Sequence, residues 1–360
     1  MLTLPKANHA KTTMVDDDLV PMPTWRILIT FFYLLGTTSV KRVLGFTPPV
    51  VGWTIMQEFA VKFIRQTFLT PTEDLRRNQT VMTSLVNVML PVSLVPVVEK
   101  DFCGLWYGAT AAADADATIL YLHGGGFSTC TASTNAEGVT SIQTALAKMG
   151  KSVRVLALEF SLAPEAKFPT QVNQALAAYE YLVYESSKPV ILLGDSAGGN
   201  LVLSLLLTLQ PKEGAPTKVS LRSPTAVVLI SPLVQLNLEL IAASFTTNRD
   251  ADFIPLSFVR ANVRDYIGDT ATSATDPRVS PIYGNFRGCP APVYIHYGGK
   301  EVFRDDIEAM VNTLTDQGLR VTTMMEPLGV HISPLLPTFF GDMATAGIQG
   351  IASYLATVLA

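Results

Sequence analysis

One stretch carries residues able to do covalent chemistry: Val190-Ile191-Leu192-Leu193-Gly194-Asp195-Ser196-Ala197-Gly198-Gly199-Asn200, followed by an apolar run to Leu207. Gly194 and Gly198 flank Ser196 in the spacing Gly-x-Ser-x-Gly. A serine so placed sits on a sharp strand-to-helix turn, lifted above the sheet. The glycines are needed where strand and helix pack too closely for a Cβ. The turn also sets the N–H of Ala197 at a helix N-terminus, where donors are unsatisfied and the dipole favours an anion. A serine hydroxyl is a weak nucleophile near neutral pH, so this reading requires a base and a donor set for negative charge. Without them the stretch is an ordinary glycine-rich turn.

A second stretch offers the donors. Tyr121-Leu122-His123-Gly124-Gly125-Gly126-Phe127 closes a strand-like run from Ala117 to Leu122. Three glycines weaken any regular element, but they let backbone N–H groups converge on one spot. A phosphate loop is the other use of such glycines, and neither of its usual spacings is present.

HGGGF followed by GDSAGG resembles the hormone-sensitive-lipase-like esterases of the α/β-hydrolase fold. Phe160-Ser161-Leu162-Ala163-Pro164-Glu165-Ala166-Lys167-Phe168-Pro169 and Asp276-Pro277-Arg278-Val279-Ser280-Pro281 resemble two further segments of that family. Ser161, Gln174 and Cys130 depart from it, standing where Arg, Asp and Gly are usual. The first two are expected to alter a buried polar network, the third to reshape the pocket mouth.

The resemblance implies a mostly parallel sheet with helices on both faces and a helical cap, and an acid between the serine and the base in chain order. The chain has four histidines. His9 lies in the N-terminal tail, His123 is implied to brace the glycine loop, and His296 falls within a strand. His331, in Pro327-Leu328-Gly329-Val330-His331, follows the last strand and is the expected base. Glu301 is the expected acid, in Gly298-Gly299-Lys300-Glu301-Val302-Phe303, with Asp305 as the alternative. Gly124, Gly125 and Ala197 are the expected oxyanion donors, supported by His123, Gly126 and Asp195. The loop around Glu301 is similar to fungal members, including steryl acetyl hydrolases and esterases of secondary metabolism. The implied substrate is a small to medium, largely apolar ester. Acyl transfer, cyclisation or condensation is the alternative chemistry. A ligand-binding receptor of the same fold is the non-enzymatic one, and its known example lacks the histidine.

The chain has 360 residues, 48% hydrophobic and 16% charged, with a net charge of −4. That length suits one large core with an insertion. No basic footprint for nucleic acid is present. Three scattered cysteines, Cys103, Cys130 and Cys289, suit a reducing, cytoplasmic setting. No metal-ligand spacing appears, so neither a metal nor a cofactor is expected.

Residues 1–80 read as a loose acidic tail followed by cap helices near Ile27–Leu35 and Val50–Leu69. The apolar run Ile27–Leu35 is too short to span a bilayer, which takes about 20 residues. Packing as part of the cap is its preferred use, and lying on a membrane surface through Trp25 and Tyr33 is the alternative. Residues 81–360 read as the catalytic domain, with a lid insertion at about 232–289. Strands are expected near Ala117–Leu122, Val153–Phe160, Val190–Leu193, Ala226–Ile230, Val293–Tyr297 and Val321–Met325. Helices are expected at Ala136–Lys148, Gln171–Tyr184, Asn200–Leu209, Pro255–Tyr266 and Phe303–Gln317, the last ending at Gly318.

Overall fold

A computed structural model describes residues 19–89, 92–108, 114–210, 221–268 and 272–360. His9 and the aspartates Asp16 to Asp18 lie outside the described residues. The strands are β1 (Leu94–Val98), β2 (Cys103–Tyr107), β3 (Ala117–Leu122), β4 (Val153–Leu158), β5 (Val190–Asp195), β6 (Ala226–Ile230), β7 (Val293–Gly298) and β8 (Val321–Glu326). They form one sheet in the order β1-β2-β4-β3-β5-β6-β7-β8. β2 runs antiparallel to both β1 and β4, and the remaining pairs are parallel.

The helices are α1 (Thr24–Val43), α2 (Ile55–Phe68), α3 (Thr72–Met89), α4 (Ala136–Lys148), α5 (Thr170–Glu185), α6 (Ala197–Leu209), α7 (Ala243–Thr247), α8 (Leu256–Ile267), α9 (Arg304–Asp316) and α10 (Pro337–Val358). The central strands are buried throughout and mostly apolar because both sheet faces are covered. Alternate residues serve opposite cores: Leu120 and Leu122 meet Tyr179 of α5 and Leu201 of α6 on one face. Ile119 and Tyr121 meet Ile142 of α4 and Ile351 of α10 on the other.

The six strands expected from sequence are present, with β5, β7 and β8 extended into their following turns and β4 ending two residues early. Gly318 follows α9 with φ +86°, the left-handed conformation that glycine tolerates. β1, β2, α3 and α10 add to the expected set. Residue 81 falls within α3, which runs on to Met89. The second helix starts at Ile55 rather than near Val50, because Thr54 and Gln57 form a reciprocal capping box. Among the described residues no helix is long and apolar enough to cross a membrane.

The tightest constraint is the crossing of β3 under the start of α6. A Cβ on Gly198 would stand 1.9 Å from the carbonyl oxygen of Leu122. Both sides of that contact are backbone, so nothing can give way cheaply. Gly198→Ala is expected to yield little or no folded protein, checked by soluble yield and thermal melting; a variant melting within a few degrees of the parent would contradict this packing.

Candidate active site

Ser196 stands between the end of β5 and the start of α6 with φ +50° and ψ −118°, a conformation rare for a residue with a side chain. Its N–H donates to the Ile230 carbonyl, and its carbonyl accepts from Leu233. These bonds hold the turn between neighbouring strand ends. Gly194 is required as well: a Cβ there would meet the Gly198 carbonyl oxygen at 2.4 Å.

Asp195 is fully buried and gathers the glycine loop. Its Oδ1 accepts from the Tyr121 hydroxyl at 2.6 Å and from Gly124 N–H at 3.1 Å, and its Oδ2 accepts from Asn135 at 3.3 Å. Burial raises its pKa to about 6, against the pull of these donors. The N–H of Gly124 is therefore already used, which corrects its expected place among the oxyanion donors. The N–H groups of Gly125, Gly126 and Ala197 find no acceptor among the described residues. Gly126 and Ser196 line the same cavity.

His123 is buried, and its ring stacks on Phe160 at 4.1 Å. Burial lowers its pKa to about 4, so the ring is neutral at pH 7 and Nδ1 donates to the Gly124 carbonyl at 2.7 Å. The loop is braced from outside by α3, an element sequence reasoning missed. Arg76 donates to the Ser128 carbonyl at 2.6 Å and pairs with Glu165. Gln79 accepts from the Cys130 N–H at 3.1 Å. Cys130 has φ +68°, which explains why a glycine is usual there.

His331 and Glu301 come from the loops after β8 and β7. Nδ1 of His331 lies 3.5 Å from Oε2 of Glu301, with both side chains buried. That separation is long for a hydrogen bond, and such contacts commonly tighten only when substrate binds. Ser231 lies close enough to favour the Glu301 carboxylate, but is not aligned to bond to it. Burial pushes Glu301 up to about 8. Burial likewise lowers His331, against the attraction of Asp252 and Asp195. Phe303 lines the cavity together with Ser196, and its ring stands edge-on to His331 at 5.3 Å.

Asp305 does not join this pair. Its Oδ2 accepts from the N–H of Ser244 in α7 at 2.8 Å, and Arg304 holds its Oδ1 at 2.7 Å. It fastens the insertion to α9. His296 is buried in β7 with both ring nitrogens unpartnered.

Sequence reasoning also missed Asp252, buried in the insertion. Its Oδ2 accepts from Val302 N–H at 2.8 Å, next to Glu301. Its Oδ1 accepts from Phe253 N–H at 2.8 Å and from His331 N–H at 3.3 Å. Its own carbonyl accepts from Arg65 of α2 at 3.2 Å. Nothing local in Arg249-Asp250-Ala251-Asp252-Phe253 signals this, since two of these donors lie 50 and 79 residues away.

The cavity beside Ser196 is lined by Leu233, Ile254, Phe258, Asn262 and Val263 and is narrow, with a volume of about 20 Å³. Ser196 and Asn262 are its polar side chains. Asn262 donates to the Phe258 carbonyl and keeps an unpartnered Oδ1.

Residues 119–334 match the model of the α/β-hydrolase fold family. The chain belongs to that family. An acetyl-hydrolase of Streptomyces hygroscopicus is 33% identical over 230 residues, covering 61% of this chain and 70% of the relative. An esterase of Acinetobacter venetianus is 30% identical over 198 residues, covering 54% of this chain and 60% of the relative. The crystal structure of an esterase from the bacterial hormone-sensitive lipase family superposes with a TM-score of 0.73 at 27% identity, covering 86% of this chain and 100% of that one. Within the α/β-hydrolases the chain thus belongs with the hormone-sensitive-lipase-like esterases.

Two departures from this family's pattern meet each other. Gln174 accepts from Ser161 N–H at 2.8 Å and donates to Ser161 Oγ at 2.9 Å. Ser161 is exposed and Gln174 half-buried. The expected buried network is therefore a surface pair, because both residues sit where the β4 loop meets the first turn of α5.

Two outcomes follow from the buried carboxyls. Asp252→Asn leaves one amide oxygen where two carboxylate oxygens collected three N–H groups. Denaturant titration is expected to show a loss of about 1–3 kcal/mol, the cost of a buried donor left unpaired. Glu301 holds its proton more tightly folded (about 8) than unfolded (4.5). Its contribution is thus fully present below pH 4.5 and is lost as pH rises through 8. Glu301→Gln is expected to melt no higher than the parent near about pH 4 and several degrees higher near about pH 9; parallel melting curves across that range would show that Glu301 is not held protonated by burial.

Proposed function

We propose that this chain is a carboxylic ester hydrolase acting through an acyl-enzyme on Ser196. The observation that carries the reading is the pairing of buried His331 with buried Glu301 at 3.5 Å, in the same fold as a serine held at φ +50° on a strand-to-helix turn. The depressed pKa of His331 keeps its ring neutral and able to accept a proton at pH 7. With Nδ1 turned to Glu301, Nε2 is the nitrogen left for Ser196.

Ser196 Oγ attacks the ester carbonyl while its proton passes to Nε2 of His331. The N–H groups of Gly125, Gly126 and Ala197 receive the oxyanion, and one such donor is worth about 3–4 kcal/mol of barrier. Protonated His331 returns its proton to the leaving alcohol. Water, deprotonated by the same ring, then releases the acid. Glu301 orients the ring and stabilises its cation.

The narrowness of the cavity beside Ser196, and its largely apolar lining, support a short acyl group. The acetyl-hydrolase among the relatives points the same way. The remainder of the substrate is an apolar alcohol, of the sterol or secondary-metabolite kind suggested by the resemblance to fungal members. The insertion at 232–289 and the helices of the first 80 residues act as the cap: Phe68 of α2 stacks on Phe253 and stands edge-on to Phe258, a cavity residue. The presence of His331 beside Glu301 favours catalysis over a receptor role.

Ser196→Ala and His331→Ala are each expected to lower p-nitrophenyl acetate turnover by roughly 10⁴-fold or more, with unchanged melting curves. Glu301→Gln should lose rate by orders of magnitude, whereas Asp305→Asn should lose stability and keep most of its rate. A well-folded Asp305→Asn without turnover, beside an active Glu301→Gln, would transfer the acid's role to Asp305.

A further inference from the structure

The outward face of α1 reverses the usual pattern of a surface helix. Trp25, Ile29, Phe32, Val40 and Val43 follow one another at helical spacing on its solvent side, with Gly36 in line. Trp25 is 64% exposed, Phe32 67% and Val43 83%. Leu28 and Tyr33 widen the stripe, and Phe46 and Val51 continue the exposed apolar series just beyond the helix. The inward face is fully occupied: Ile27 is buried, and Phe31 stands edge-on to Phe59 and Phe63 of α2 at 4.9 and 5.3 Å. The exposed residues are therefore surplus to the packing of the cap.

The patch is large. An aromatic side chain carries about 150–250 Å² of surface. Four of them at roughly two-thirds exposure already equal the largest apolar patch of a typical soluble monomer, about 300–600 Å². The charge on the helix itself is of one sign. α1 contains Arg26, Lys41 and Arg42 and no acidic residue, within a chain of net charge −4. Arg42 turns inward to Glu58 and the Trp53 carbonyl. Arg26 and Lys41 stay exposed, near opposite ends of the helix.

We propose that α1 lies flat on an anionic lipid surface, its outward stripe inserted at the headgroup boundary and Arg26 and Lys41 against the phosphates. An apolar stripe rich in Trp, Phe and Leu beside basic residues is the chemistry of an interfacial helix. A second copy of the chain fits less well, since apposed stripes would bring like charges together. The inner face being fastened to α2, the helix lies along the surface rather than across the bilayer. The attachment reaches the candidate site: α1 holds Trp53 through Arg42, and Trp53 Nε1 donates at 2.9 Å to the carbonyl of Leu328, in the loop that ends at His331.

The test is flotation of the full chain with phosphatidylcholine vesicles, with and without phosphatidylserine, using thermal melting as the control for folding. The chain is expected to float with vesicles, more strongly when phosphatidylserine is present. Ile29→Glu with Phe32→Glu should cut binding at least about ten-fold at an unchanged melting temperature. Arg26→Gln with Lys41→Gln should weaken binding to anionic vesicles by about five-fold per residue and leave neutral vesicles unaffected. A folded chain that binds neither composition overturns the proposal. So does a dimer in light scattering that Phe32→Glu disperses, which would make a second copy the occupant.

Discussion

The candidate site depends on a carboxylate that takes no part in the proposed chemistry. Asp252 accepts N–H groups beside Glu301 and at His331, and its own carbonyl is held by α2. The loops after β7 and β8 are joined to each other by backbone bonds from Gly299 to Glu326 and from Lys300 to Gly329, and Asp252 ties the residues beyond those bonds, Val302 and His331, to the insertion. Asp195 does the same on the other side of Ser196, drawing together Tyr121, Gly124 and Asn135. Burying a carboxylate is costly, and the raised pKa of each, about 6, records that cost. No neutral side chain of similar size accepts as many donors from as many directions.

Glu301 differs from both. Neither of its oxygens has an aligned hydrogen-bond donor, and the ring of His331 stands 3.5 Å away. With the pKa of Glu301 raised to about 8, its ionised form is costly to the resting fold at neutral pH. When Nε2 of His331 takes up a proton the ring becomes a cation facing this group, so in the proposed mechanism the ionised form that is costly at rest is favoured as the imidazolium forms. Stability and activity pull in opposite directions at this residue, as at many functional sites.

The parallel core was legible because each of its strands is a short apolar run bounded by turn residues. β1 and β2 were not, since Pro96 and Gly104 sit inside them; an edge position is what makes a proline tolerable there. α10 was hidden by Gly341, Gly347 and Gly350, the second packed against Pro334. Within the site, residue types and chain order singled out Ser196, Glu301 and His331. Sequence could not say which of three adjacent glycines loses its N–H to Asp195, because that is decided by where a strand end points. Asp252 was invisible for the same reason: its partners are backbone groups brought near only by the fold.

The pair Ser161 and Gln174 carries a different lesson. Each satisfies the other through two bonds, one to main chain and one to side chain. The family's usual Arg or Asp, installed at one position alone, would meet a partner shaped for something else. The two sites are thus epistatic, and the value of a residue at either is set by the other. Any lineage moving between the two solutions must pass through an unmatched intermediate, and on an exposed loop of a well-packed sheet that intermediate costs little enough to survive. Substitution tables that score positions singly will count two defects here where the molecule has one alternative solution.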